Sequence, residues 1–215
     1  MINRFCTIVL ILLLCSACAG QQAYQTVYSY AYGAITGNAY QPIDQEYFEN
    51  QKYSFAMAKV GKSDPVRLVL EKKEGALLKW VSAEKTIIYT NKYGRIVKSK
   101  GLKNDINFRI IPGQSNLISK PETLTNKNIQ FSVDFLYPEL FGIRGYDSFI
   151  SKSLINYEFL EGDYREMTKL SFRSYFPIIQ WESDGFIIAN KNNIIAISQY
   201  IHPHHPRIEL YFYYK

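Results

Sequence analysis

All three histidines of the chain lie in one segment, His202-Pro203-His204-His205-Pro206. Imidazoles this close could ligate a transition metal. Two prolines stiffen the segment and oppose convergence of three rings, so the sequence assigns neither a metal site nor a cofactor. Four carboxylates, Glu158, Glu161, Asp163 and Glu166, surround a turn. A glycosidase needs two carboxyls about 5 to 9.5 Å apart across a cleft, whereas four acids in one hairpin connection read as solvated charges. Gly-x-Ser-x-Gly, His-Glu-x-x-His and phosphate-loop patterns are missing from the sequence. No residue is assigned a catalytic role, and the chain is expected not to be an enzyme.

The cysteines point to a different chemistry. Cys6, Cys15 and Cys18 all fall in the first 18 residues, which leaves no disulfide framework or cysteine zinc site for the rest. Arg4 precedes an apolar run from Phe5 to Leu14, and Cys15-Ser16-Ala17-Cys18 follows. Basic start, short apolar core and small residues make a signal peptide. A cysteine after two small residues resembles a bacterial lipoprotein signal, with Cys18 as the lipidated first residue of the mature chain. Cys15 stands where such signals usually carry Leu, and an ordinary secretory peptide is the alternative. Residues 1–17 would be the signal, 18–40 a lipidated tether with a short helix, and 41–215 one β-rich domain. Ala19 and Gly20, with no Asp, resemble the sorting context of outer-membrane lipoproteins facing the periplasm. An exported chain would not meet nucleic acid.

Charge is unevenly placed. Residues 51–130 hold 16 Lys or Arg against 6 Asp or Glu, in a chain of net charge +6. Lys92, Arg95, Lys98, Lys100 and Lys103 fall within one turn and the following strand. Such a face could meet acidic polysaccharide, lipopolysaccharide phosphate or anionic lipid. A solvated face that keeps a sheet soluble is the more ordinary use of such a charge run. Aromatics are dense around Tyr137, Phe141, Tyr146 and Phe149, and again at Tyr211 to Tyr214. They could stack on sugars or simply pack across strands.

The elements that must position these groups are mostly strands. Tyr24, Val27, Tyr28, Ala31 and Ile35 have helical spacing, weakened by Gly33 and Gly37. A second short helix runs from Pro42 to about Asn50. Alternation of period two then begins at Tyr53, Phe55 and Met57. Strands are expected over residues 67–71, 76–82, 86–90, 95–99, 129–136, 153–159, 168–174, 178–181, 186–189, 194–200 and 208–213. Residues 112–127 are the clearest loop. Tyr211 and Tyr213 alternate with Phe212 and Tyr214, which suits a last strand covered on both sides. The expected fold is mainly β: a twisted antiparallel sheet folded into a sandwich or half-open barrel, with one or two short N-terminal helices.

Several segments together resemble the YjbF/GfcB family, the group 4 capsule lipoproteins. The core of the likeness is Trp80-Val81-Ser82-Ala83, Tyr89-Thr90-Asn91, Gly94-Arg95-Ile96-Val97, Gly101-Leu102 and Asp105-Ile106. Tyr53-Ser54-Phe55-Ala56 resembles the family's entry into its first strand. Trp181, Phe186, Asn192, Gln199 and Pro206 align with its C-terminal hairpin. Phe186, Ile188 and Asn192 stand where the family has Trp, Asp and Gly; Asn also tolerates the left-handed conformation. The resemblance implies a β-rich domain serving surface polysaccharide export, with no known catalytic residues.

The resulting expectation is an outer-membrane lipoprotein, held by acylated Cys18, that assists export or assembly of capsular or extracellular polysaccharide. It would bind acidic glycan or a protein of the export machinery. Two other readings stay open: a carrier of lipid or another apolar ligand in a half-barrel cavity, and a glycan-modifying enzyme. The first requires a large apolar pocket and the second a cleft with convergent carboxylates or histidines.

Overall fold

The computed structural model describes residues 42–110, 128–191 and 193–215. The chain divides into two units, Met1–Ala39 and Tyr40–Lys215, and every described residue belongs to the second. Cys18, the helix expected after it, the loop at 112–127 and Asn192 lie outside the described residues.

A short helix, α1 (Gln45–Asn50), opens the unit. Asp44 caps it, accepting a hydrogen bond from the Tyr47 N–H at 2.5 Å. Twelve strands follow: β1 (Phe55–Val60), β2 (Val66–Glu74), β3 (Leu77–Ser82), β4 (Ile87–Asn91), β5 (Ile96–Lys100), β6 (Ile106–Ile110), β7 (Asn128–Leu136), β8 (Glu139–Leu160), β9 (Asp163–Phe176), β10 (Trp181–Asn190), β11 (Asn193–Gln199) and β12 (Ile208–Tyr213). Each is antiparallel to its sequence neighbours, and β1 pairs with β12 from Phe55↔Tyr213 to Val60↔Ile208. The mainly β antiparallel sheet expected from the sequence is therefore folded on itself into a closed meander barrel. Closure leaves no sheet edge for charged residues to protect.

Period-two patterning decides which side faces in. Ile208, Leu210 and Phe212 of β12 point into the barrel beside Trp80, Ile96, Phe131, Phe172 and Phe176. Arg173, Glu182 and Asp184 form an exposed ion-pair group on the outside. Apolar inside and charged outside is the reverse of a membrane-spanning barrel.

The hairpin of β8 and β9 is longer than the barrel needs. Its distal half lies over the outside of β10–β12, where Ile155, Tyr157 and Phe159 pack against Met167, Ile188, Ile195 and Tyr211. Phe159 and Leu160, with Phe48 of α1, bury the stacked pair Phe55–Tyr213. The last strand is thus covered on both faces, as its alternation of aromatics predicts. Burial under this layer raises the Tyr157 and Tyr211 hydroxyls above the ordinary tyrosine pKa.

Three local expectations differ. β2 continues through Lys72 and Lys73 to Glu74, with a register shift between Leu70 and Lys72, and the turn falls at Gly75. Ile178 belongs to a single 3-10 turn, Pro177–Ile179, because Pro177 cannot donate to a ladder. β6, and the first half of β8, are strands that the sequence left unmarked.

Candidate functional site

The barrel has two ends. The chain enters and leaves at one, the terminal end, together with the β4–β5, β8–β9 and β10–β11 turns. The far end carries the β5–β6, β7–β8 and β9–β10 turns and the histidine segment.

The basic group from the sequence divides. Lys98 and Lys100 are exposed on the outer face of β5, and Lys103 is exposed in the next turn at the far end. Lys98 lies 5.5 Å from the Tyr89 ring centre. Lys92 sits at the opposite end, over the Tyr93 ring. Arg95 leaves the group altogether. Its guanidinium enters the barrel, 2.5 Å from the Asp147 carboxylate, and only 13% of its side chain is exposed. Phe108, Phe131 and Phe172 surround it at 5.1, 5.2 and 5.1 Å from the ring centres. Arg95 cannot share an external anion-binding face with the lysines. Asp147 also accepts a hydrogen bond from the Ser174 hydroxyl at 2.6 Å. Burial pushes the Asp147 carboxyl up, while Arg95 and Ser174 pull it down.

Beside this pair lies a cavity of about 40 Å³, lined by Asn91, Tyr93, Phe108, Phe131 and Phe149 among others. A water needs roughly 10–15 Å³ on this measure, so the space suits a water and not a lipid. The Tyr93 hydroxyl is buried with no hydrogen-bond partner among the described residues. The barrel interior is otherwise packed with side chains, and the large apolar pocket required of a carrier is not found among the described residues.

The remaining motif residues hold the barrel together. Trp80 is fully buried and donates its indole N–H to Thr90 Oγ1 at 2.8 Å. Ser82 Oγ accepts from the Thr86 N–H, closing the turn that contains Ala83. Asp105 accepts from Ser99 Oγ and from the Gly101 and Leu102 N–H groups at 2.8 to 3.0 Å, which fixes the β5–β6 turn. Gly94 has φ +75°, and a Cβ there would lie 2.6 Å from Ile194 Cγ2. Trp181 stacks on Phe176 at 4.8 Å. Gln199 crosses the interior: its amide donates to the Ile96 carbonyl and accepts from the Ile96 N–H, both at 3.2 Å. This serves a weak seam, since β5 and β6 share only the Lys98↔Asn107 pair. Ile188, standing where the family has Asp, is buried in the outer apolar layer.

The histidines and acids do not converge. His202 is buried edge-on against Phe135, and its Nδ1 accepts from the His204 N–H. Nδ1 of His205 is engaged by the Pro206 carbonyl. Among the described residues, no group of three or more His, Cys, Asp or Glu could hold a metal ion. Glu158 accepts from the Gly162 N–H and braces the β8–β9 turn, while Asp163 makes an exposed surface pair with Arg165.

Two features had no sequence assignment. Asp134 is buried under the β7–β8 turn, where the Gly142 N–H, Arg109 and Asn107 hold its carboxyl below the ordinary range. A groove of about 640 Å³ crosses the barrel rim at the terminal end, between α1, the β8–β9 tip and the β10–β11 turn. A lone acid in an apolar strand is the signal that marks Asp134 and Asp147; nothing local marks the groove.

The comparisons with known proteins decide the family. The model of the group 4 capsule polysaccharide lipoprotein family (GfcB, YjbF) matches residues 30–212. The chain belongs to this family. The hypothetical lipoprotein YmcC from Escherichia coli K12 has the same fold, with TM-score 0.61 and 13% identity over 86% of this chain and 94% of that one. A lipoprotein candidate from Parabacteroides distasonis and an exported-protein candidate with a YmcC-like fold from Bacteroides fragilis each give TM-score 0.33, 9% identity, and coverage of 82% of this chain and 99% of theirs. No curated relative matches the chain. As a GfcB/YjbF member it is a capsule-polysaccharide-related lipoprotein, and its likeness to YmcC bears on fold alone.

Proposed function

We propose that this GfcB/YjbF-family lipoprotein is anchored through acylated Cys18 in the outer membrane, facing the periplasm. There it assists export or assembly of a capsular or extracellular polysaccharide without catalysing a reaction. The observation that carries this reading is the family match over residues 30–212. The architecture is in keeping with it: a packed barrel with charged outer strands suits a binding scaffold better than a carrier. The exposed lysines Lys98, Lys100 and Lys103 supply the external basic face, which favours an acidic glycan over a neutral one. A partner protein of the export machinery is the alternative occupant of that face.

Deleting the gene and measuring cell-bound and secreted polysaccharide tests the proposal. The expected result is loss or mislocalisation of the polymer, restored by the intact gene and not by a copy with Cys18→Ser. Unchanged polymer in the deletion strain would end this reading.

A further inference from the structure

The groove at the terminal end has a composition that the barrel itself does not require. Its walls come from three separate places: Phe48 on α1, Phe159 and Arg165 at the tip of the long hairpin, and Asn190, Lys191 and Asn193 around the β10–β11 turn. The Glu161 N–H donates to the Ile43 carbonyl at 3.0 Å and ties the hairpin tip to the segment before α1. The volume of about 640 Å³ lies within the usual range for small-molecule sites. Among the described residues, no side-chain hydrogen bond or ion pair engages Asn190, Lys191 or Asn193. Lys191 is held at φ +52°, so its side chain is carried by a tight turn.

The chemistry of the walls narrows the ligand. Carboxamides both donate and accept, as vicinal hydroxyls do. Aromatic walls suit the C–H faces of a sugar ring. Cations sit beside the aromatic walls: Arg165 is 4.9 Å from the Phe159 ring centre, and Lys215 is 3.9 Å from that of Phe48. A purely apolar ligand would strand the amides, and a nucleotide-type ligand would want a backbone phosphate cradle that this rim lacks among the described residues. Cation, amide and aromatic together fit a sugar that carries a carboxylate. The open groove has room for a short stretch of chain.

We infer that the groove between α1, the β8–β9 tip and the β10–β11 turn binds a uronic-acid-bearing oligosaccharide. Lys191 and Arg165 receive the carboxylate, and Asn190 and Asn193 take the ring hydroxyls. This inference rests on the reading that the protein handles polysaccharide, and it adds a place of contact distinct from the lysine face. β5, which carries Lys98 and Lys100, is well removed from β10 and β11 in the barrel order.

The test is binding of defined tetrasaccharides to the full-length protein in detergent. The probes are galacturonate, mannuronate and glucuronate-containing oligomers, each beside its carboxyl-reduced neutral form. Calorimetry gives affinity, and nitrogen-15 spectra of the side-chain amides give location. At least one acidic probe should bind, with shifts at the Asn190 and Asn193 amides. Its affinity should fall at least tenfold on carboxyl reduction and in the variant K191N/R165Q. Asn tolerates a positive φ, and the Arg165–Asp163 pair is exposed, so this variant should keep its fold. K152Q, an exposed change elsewhere on β8, should bind as the parent does. Binding lost only on reversing Lys98, Lys100 and Lys103, with the Asn190 and Asn193 amides unmoved, would overturn the groove and leave the proposed function standing. Failure of every acidic probe to bind would also overturn the groove, while the deletion phenotype decides the function separately.

Discussion

Arg95 and Asp147 face each other at 2.5 Å inside the barrel, with three phenylalanine rings around the guanidinium. Both charges are desolvated, and their attraction must offset that cost. Removing one partner leaves the other charge unpaired in an apolar interior. D147L should therefore lose about 3–5 kcal/mol of stability. The double change R95M/D147L, which removes both charges, should recover most of that loss. Urea denaturation followed by tryptophan fluorescence measures both. A double variant no better than D147L would show that the pair does more than cancel its own charges.

How far the sequence foretells this arrangement depends on whether the deciding contact is local. Alternation in Tyr211–Tyr214 is local, and it correctly predicts a strand buried on both faces. The turn before β5 is local too, and its Gly94 falls at positive φ. Closure is not local: whether β1 meets β12 depends on strand number and stagger, which no single segment encodes. The same limit explains Arg95. Its phase relative to Lys98 and Lys100 is readable, but its partner lies 52 positions away, on a stretch of β8 unmarked as strand. The groove is the extreme case, since three elements distant in sequence build it.

Gln199 gives a second stability prediction. Its amide replaces a strand partner for both polar groups of Ile96, where the β5–β6 seam is thin. Q199L keeps an apolar core but leaves a buried N–H and a buried carbonyl unpaired. Each such group costs about 1–3 kcal/mol, so Q199L should destabilise by roughly 2–4 kcal/mol. Hydrogen exchange should also quicken at Ile96. A loss below about 0.5 kcal/mol would mean that water or a shifted strand takes over both bonds.

Gly94 and Gly75 separate backbone strain from crowding. Both adopt positive φ, +75° and +60°. A Cβ at Gly75 meets nothing within 4 Å, whereas at Gly94 it meets Ile194 at 2.6 Å and Phe212 at 3.1 Å. G75A should cost about 1–2 kcal/mol, the left-handed penalty alone. G94A should cost more, by roughly 1–3 kcal/mol, because a packed core must shift. The two melting curves test this directly, and equal losses would contradict the crowding argument.

His202 makes stability depend on pH. Burial lowers its pKa from 6.5 to about 4, with His204 and His205 adding to the shift, while the Tyr137 backbone bond opposes it. The ring accepts from the His204 N–H through Nδ1 and packs on Phe135, so the folded state holds it neutral. In the unfolded chain the same imidazole takes up a proton near pH 6.5. Between those values the unfolded state binds more protons, so stability rises with pH across this window and falls as acid is added. The loss from pH 7 to pH 4 should be on the order of 2 kcal/mol. H202F preserves an aromatic ring against Phe135 and removes the titration, so its stability should be flatter over the same range. Denaturation midpoints at half-unit steps from pH 4 to 7.5 measure the difference. Parallel curves for the two proteins would assign the acid sensitivity to groups other than His202.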